Sequence, residues 1–130
     1  MTTNEDIRNI QINVRESFTK SPENALNTSK SYAEVTNALV CTYSAGSRKT
    51  IMDMPTIAGG NDQGPTPGFH ARAAISGCVA IGIKQEAIFC QIKCESIKVE
   101  LEMDFDDAAM FGIGENTAAP LNTRLLIRIV

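Results

Sequence analysis

The sequence predicts an α+β fold, with an antiparallel sheet packed on a long buried central helix. Three observations predict it. An apolar stripe at helical spacing opens the chain, a helical stretch apolar nearly all round fills its middle, and a strictly alternating strand follows. The expected order is β-β-α-β-β behind a leading helix, within a single domain over residues 1–130.

Ile7, Ile10, Val14 and Phe18 recur at helical spacing between polar residues, which predicts an amphipathic helix over about residues 4–19. Ser21-Pro22 breaks it. From Ser31 to Tyr43, the residues Tyr32, Val35, Thr36, Val40, Thr42 and Tyr43 favour a strand. SAGSR is a turn and KTIMDM returns as a second strand, so 31–54 reads as a hairpin. PTIAGGNDQGPTPG holds four Gly and three Pro in fourteen residues, so it is irregular. It is either a plain surface loop or a loop lying over the start of the next helix.

Thr66 is suited to cap that helix, and Pro67 fits its first position, where the missing N–H costs nothing. The helical pattern runs to about Phe89 with few polar residues, most of them near its ends, so the helix is expected to be buried. Ile97, Val99, Leu101, Met103 and Phe105 then alternate with Lys98, Glu100, Glu102 and Asp104, a strand with one wet face. A loop over 108–120 leads to a last strand carrying Leu121, Leu125, Ile127 and Ile129. That strand stops at its most apolar point, TRLLIRIV. Termini are more often polar, so the expectation is either a longer parent protein with a further C-terminal segment or a partner covering this strand.

The net charge of −3 leaves no basic face for nucleic acid. No run of eighteen apolar residues predicts a membrane span, and the polar start MTTNEDIRNIQ lacks a signal-peptide core. The cytoplasm is the default compartment.

The four cysteines are Cys41, Cys78, Cys90 and Cys94, and in a reducing compartment they are expected to be free thiols. Cys90 and Cys94 form a CxxxC with no second ligand pair, and His70 is the only histidine. No metal or cofactor is expected from that pattern. Asp104, Asp106 and Asp107 lack EF-hand spacing and read as a solvated strand end. Gly59-Gly60 has no following phosphate-loop lysine and reads as backbone geometry.

Cys78 lies on a stripe of small residues, Ala71, Ala74, Cys78 and Gly82, which allows close approach of another backbone. It is either a small core filler or a reactive thiol. A reactive thiol needs a cation, a helix N-terminus or a base nearby. The helix dipole fades within the first turn, short of Cys78. His70 lies eight positions earlier, about 12 Å along the axis, and Arg72 points to a different side. Any activating group must come from another strand, loop or subunit.

The stretch MDMPTIAGGNDQGPTPGFHARAAISGC resembles the OsmC/Ohr family of osmotically inducible and organic hydroperoxide resistance proteins. That family shows an Asp-x-Pro, a Gly-Gly loop, a Gly-Pro-x-Pro turn and a cysteine eleven residues after the second proline, and Cys78 stands eleven after Pro67. The alternating strand and Phe111-Gly112 also fit, over roughly residues 31–130. The leading helix and GPTPG variant look closest to an uncharacterised OsmC-like subgroup.

The resemblance implies an intertwined α+β homodimer with active sites at the subunit interface. It implies thiol-dependent reduction of organic hydroperoxides in oxidative-stress defence, with Cys78 as the attacking thiolate and an external dithiol as reductant. It also implies a second, resolving cysteine, which would lie after residue 130. Cys90 is twelve positions beyond Cys78, about 18 Å along a helix, and does not match it. Two positions depart from the family pattern. Gly68 stands where the family carries a glutamate, and no arginine occurs around Asn37. The alternative is therefore a non-catalytic OsmC-like dimer that binds an apolar ligand at the subunit interface.

Overall fold

The chain begins with a reciprocal cap. Thr3 Oγ1 accepts from the Asp6 backbone N–H at 3.1 Å, and Asp6 Oδ2 accepts from the Thr3 N–H at 2.9 Å. Two orphan donors at the helix start are satisfied this way. The Thr3 hydroxyl and N–H hold the Asp6 carboxyl below its ordinary value. The computed structural model describes residues 1–130, and helix α1 runs over Asn4–Lys20, one residue beyond the expected end. Ser21-Pro22 ends it, as expected, in a single 3-10 turn over Pro22–Ala25.

Residues 31–54 form three strands where the sequence predicts two: β1 Tyr32–Val35, β2 Cys41–Ala45 and β3 Arg48–Met52. They pair antiparallel in that order, with β2 central. Val35 faces Cys41, so the intervening five residues form a hairpin loop where one continuous strand is expected. Ala38 in that loop has φ +51°, a left-handed conformation that no extended strand allows. The second hairpin closes tightly through Gly46-Ser47, with Ala45 opposite Arg48 and Gly46 at φ +57°.

Helix α2 spans Pro67–Phe89, and the Thr66 hydroxyl accepts from the Phe69 N–H at 3.2 Å, the expected cap. Strand β4 covers Ile97–Asp104 and β5 covers Asn122–Ile129, paired antiparallel from Ile97–Ile129 to Asp104–Asn122. Burial along β4 alternates at every residue, as its pattern predicts. A 3-10 turn over Asp107–Phe111 interrupts the expected loop between the two strands, and the Asp106 side chain caps it by accepting from Ala108 N–H at 3.0 Å. The fold class is thus α+β with antiparallel sheets, but the strands form a three-stranded and a separate two-stranded sheet.

The chain divides into two compact units. One comprises residues 1–8 and 75–130, and the other residues 9–74. In the first, the Arg8 guanidinium donates to the Phe89 carbonyl at 3.2 Å, placing a cation on the carbonyl end of α2. No helix is long and apolar enough to cross a membrane.

Burial corrects the expectation for α2. Only Ile88 of that helix is buried, while Phe69 and Ile81 are 53% and 62% exposed. Among apolar residues of the chain, Ile88 and Cys94 alone are buried. A helix apolar on all sides has no wet face of its own, and here most of α2 is left uncovered.

Candidate functional site

The loop that sequence composition marks as irregular is built around one carboxylate. Asp53, immediately after β3, is the most deeply buried side chain, at 1% exposure. Its Oδ1 accepts from the Met54 N–H at 2.7 Å. Its Oδ2 accepts from the N–H groups of Asn61 at 3.0 Å and Gln63 at 3.1 Å. Burial pushes the Asp53 carboxyl up, but the backbone bonds from Gln63, Met54 and Asn61 together outweigh it, leaving the group below its ordinary value.

The backbone completes the enclosure. Asp62 N–H donates to the Met54 carbonyl at 3.1 Å, and Asp53 N–H donates to the Pro65 carbonyl at 3.3 Å. Gly60 is buried against this turn, and a Cβ there would lie 1.9 Å from the Met54 carbonyl oxygen. Gly59, at φ +86°, ends the short 3-10 turn Thr56–Ala58 that precedes it. A Cβ at Gly64 would lie 2.6 Å from the Ile51 carbonyl oxygen, so the loop also hugs β3. Residues 53–65 therefore fix where Thr66 and Pro67 start α2. The sequence displays Asp53 in an Asp-x-Pro but gives no sign of this role, because all three donors are backbone amides.

At the start of α2, the Arg72 side chain folds back toward the helix N-terminus. Its Nη1 lies 3.2 Å from where a Cβ on Gly68 would stand. Helical side chains lean that way by default, and the direction is opposite to that of Cys78 along the helix. His70 stacks edge-to-face with Phe69, with ring centroids 5.6 Å apart, and its Nε2 is enclosed without a hydrogen-bond partner.

Cys78 is exposed on α2. Cys41 is half-buried in β2, Cys90 is exposed just beyond α2, and Cys94 is buried. No group of three or more His, Cys, Asp or Glu side chains is arranged to hold a metal ion.

The charged face of the β4–β5 sheet carries one organised cluster. Arg124 grips Asp104 through both terminal nitrogens at 2.6 and 2.8 Å and reaches Glu102 through Nε at 2.9 Å. The Arg124 hydrogen bonds hold the Asp104 carboxyl below its ordinary value, against a smaller upward push from burial. Asp106 binds Asn116 Nδ2 at 2.9 Å in addition to its cap. Glu102, Asp104 and Asp106 are thus engaged within the fold.

No known family model matches the sequence, and no curated protein matches it.

Proposed function

We propose that this chain is an OsmC/Ohr-type protein that reduces organic hydroperoxides through Cys78. The observation that carries the reading is the exposed thiol eleven residues after Pro67, on a helix whose start is set by the Asp53 loop. The Cys78 thiolate attacks the outer oxygen of a hydroperoxide, the O–O bond breaks, and the alkoxide leaves and takes up a proton as the alcohol. The cysteine becomes a sulfenic acid. An external dithiol then returns it to the thiol, releasing water and a disulfide.

A second copy of the chain is part of this proposal. Leu125, Ile127 and Ile129 lie exposed on the apolar side of the β4–β5 sheet, as do Phe69, Ile75 and Ile81 on α2. Apolar surface of this extent in one chain is characteristic of an obligate interface. A homodimer of twice 14.0 kDa in sedimentation or light scattering is expected, and a monomer at micromolar concentration would refute it.

The test of activity is direct. Cumene hydroperoxide is added to the protein with a dithiol, and peroxide consumption and intact mass are followed. Peroxide loss and a one-oxygen gain at Cys78 are expected, and both disappear in Cys78→Ser. Equal peroxide loss in the two proteins sinks the reading.

One observation favours the alternative, a non-catalytic dimer holding an apolar ligand at its interface. The first turn of α2 carries no acidic residue, Gly68 standing where the family carries a glutamate. Native mass spectrometry showing a bound lipid-like molecule, with no oxygen gained at Cys78, supports that reading over the first.

A further inference from the structure

Helix α2 ends in a turn that brings two thiols to one cavity. Gln91 adopts φ +58°, and the Ile92 N–H donates back to the Ala87 carbonyl at 2.8 Å, a left-handed helix stop. The Lys84 ammonium donates to the Cys94 carbonyl, tying the outgoing segment back to the helix. The result is a cavity of about 330 Å³ lined by Ile83, Ala87, Ile92 and Ile129 together with Glu86, Cys90 and Cys94. The exposed Cys90 thiol donates to Glu86 Oε1 at 3.6 Å, and the buried Cys94 thiol donates to the Ser96 carbonyl at 3.6 Å.

We propose that Cys90 and Cys94 form a second thiol–disulfide couple, separate from Cys78, that exchanges with small disulfides at this cavity. The two residues differ in the way such a couple requires: one thiol is open to reagent and the other is buried in the lining of the same cavity. Glu86 is the first acceptor that the Cys90 proton meets. The Cys90 sulfur attacks one sulfur of a small disulfide, whose S–S bond breaks, and the departing thiolate takes up a proton. Cys94 then gives up its proton and attacks the Cys90 sulfur, expelling the second thiol. Two electrons and two thiol hydrogens pass to the small disulfide, which leaves as two thiols, and Cys90 and Cys94 are joined. The couple does not depend on Cys78 being a peroxidase.

Lys93 lies between the two cysteines, so trypsin separates them and a disulfide rejoins the fragments. The full chain is equilibrated with graded ratios of oxidised to reduced glutathione, alkylated and mapped by mass spectrometry. The expected product is peptide 85–93 linked to peptide 94–98, lighter by two hydrogens, in a species that runs as a single chain on a non-reducing gel. Cys78→Ser is expected to give the same link. Cys94→Ser is expected to stop at a glutathione adduct on Cys90 that the wild-type chain sheds. A wild-type map with glutathione retained on Cys90 and Cys94 still alkylated at every ratio overturns the proposal. So does a link to Cys78 or between two chains.

Discussion

Replacing Gly60 with alanine tests whether the Asp53 loop is a fixed part of the fold. The added Cβ would stand 1.9 Å from the Met54 carbonyl oxygen, 2.4 Å from its carbon and 2.8 Å from its Cα. All three atoms are backbone, so no side-chain rotation relieves the clash. Reaching even 3.0 Å requires that carbonyl oxygen to retreat by 1.1 Å (3.0 minus 1.9). That movement breaks the bond it accepts from Asp62 N–H, now 3.1 Å, and disturbs the Asn61 N–H aimed at Asp53. One backbone hydrogen bond is worth about 1 kcal/mol net, and overpacking adds about 1–3 kcal/mol. A loss of about 2–4 kcal/mol follows, or about 8–16 °C in Tm at about 4 °C per kcal/mol for a chain of this size. Gly77→Ala is the control, because a Cβ there meets nothing within 4 Å. It is expected to raise Tm by about 2–4 °C, since glycine inside a helix costs about 0.5–1 kcal/mol. Thermal unfolding followed by circular dichroism reads both. A Gly60→Ala protein melting within about 2 °C of wild type would refute the rigid-loop reasoning.

The Asp53 carboxyl has a lowered folded-state pKa, so its contribution is complete above the ordinary value of 3.8 and is lost as pH falls through the folded value. Urea midpoints measured from neutral to strongly acidic pH are expected to show Asp53→Asn less stable at pH 7 and flatter in acid than wild type; parallel curves contradict this. Gly68→Glu is expected to stabilise α2, because its Cβ meets the flexible end of Arg72 at 3.2 Å and the Thr66 hydroxyl at an ordinary 3.9 Å, and the new carboxylate sits in the first turn. Losing a helical glycine and gaining an i,i+4 pair should together raise Tm by about 3–6 °C, and a fall in Tm would show that Arg72 cannot yield. Arg124→Gln removes three contacts to Asp104 and Glu102 from an exposed sheet face. Its Tm deficit is expected to be small and to shrink in 1 M NaCl, where the Debye length falls to about 3 Å; a deficit independent of salt would assign Arg124 a packing role.

Elements whose signals are local were legible in the sequence. The stripe Ile7–Phe18 located α1, Thr66-Pro67 located the start of α2, and alternation located β4. The break between β1 and β2 was not legible, because Ala38 carries no residue-type mark of its left-handed conformation. The exposure of α2 departs from its sequence pattern for a different reason. Hydrophobicity on every face marks a helix suited to burial, but does not say whether the chain's own elements pack over it. At the candidate site, the family resemblance singled out Cys78, whereas the Asp53 enclosure depends on amides eight and ten residues away. The convergence of Cys90 and Cys94 on one cavity follows from Gln91 turning left-handed, which a glutamine does not advertise.

The Asp53 loop also changes where this chain tolerates insertion. Its glycines and prolines give residues 55–68 the composition of a linker, the usual choice for inserting a tag, a fused domain or new termini. Here the main-chain N–H groups of Met54, Asn61 and Gln63 point inward at a single carboxylate, and a change in loop length would pull at least one of them away. The sites suited to grafting or circular permutation lie instead at 26–31 and 113–120, where every residue is exposed.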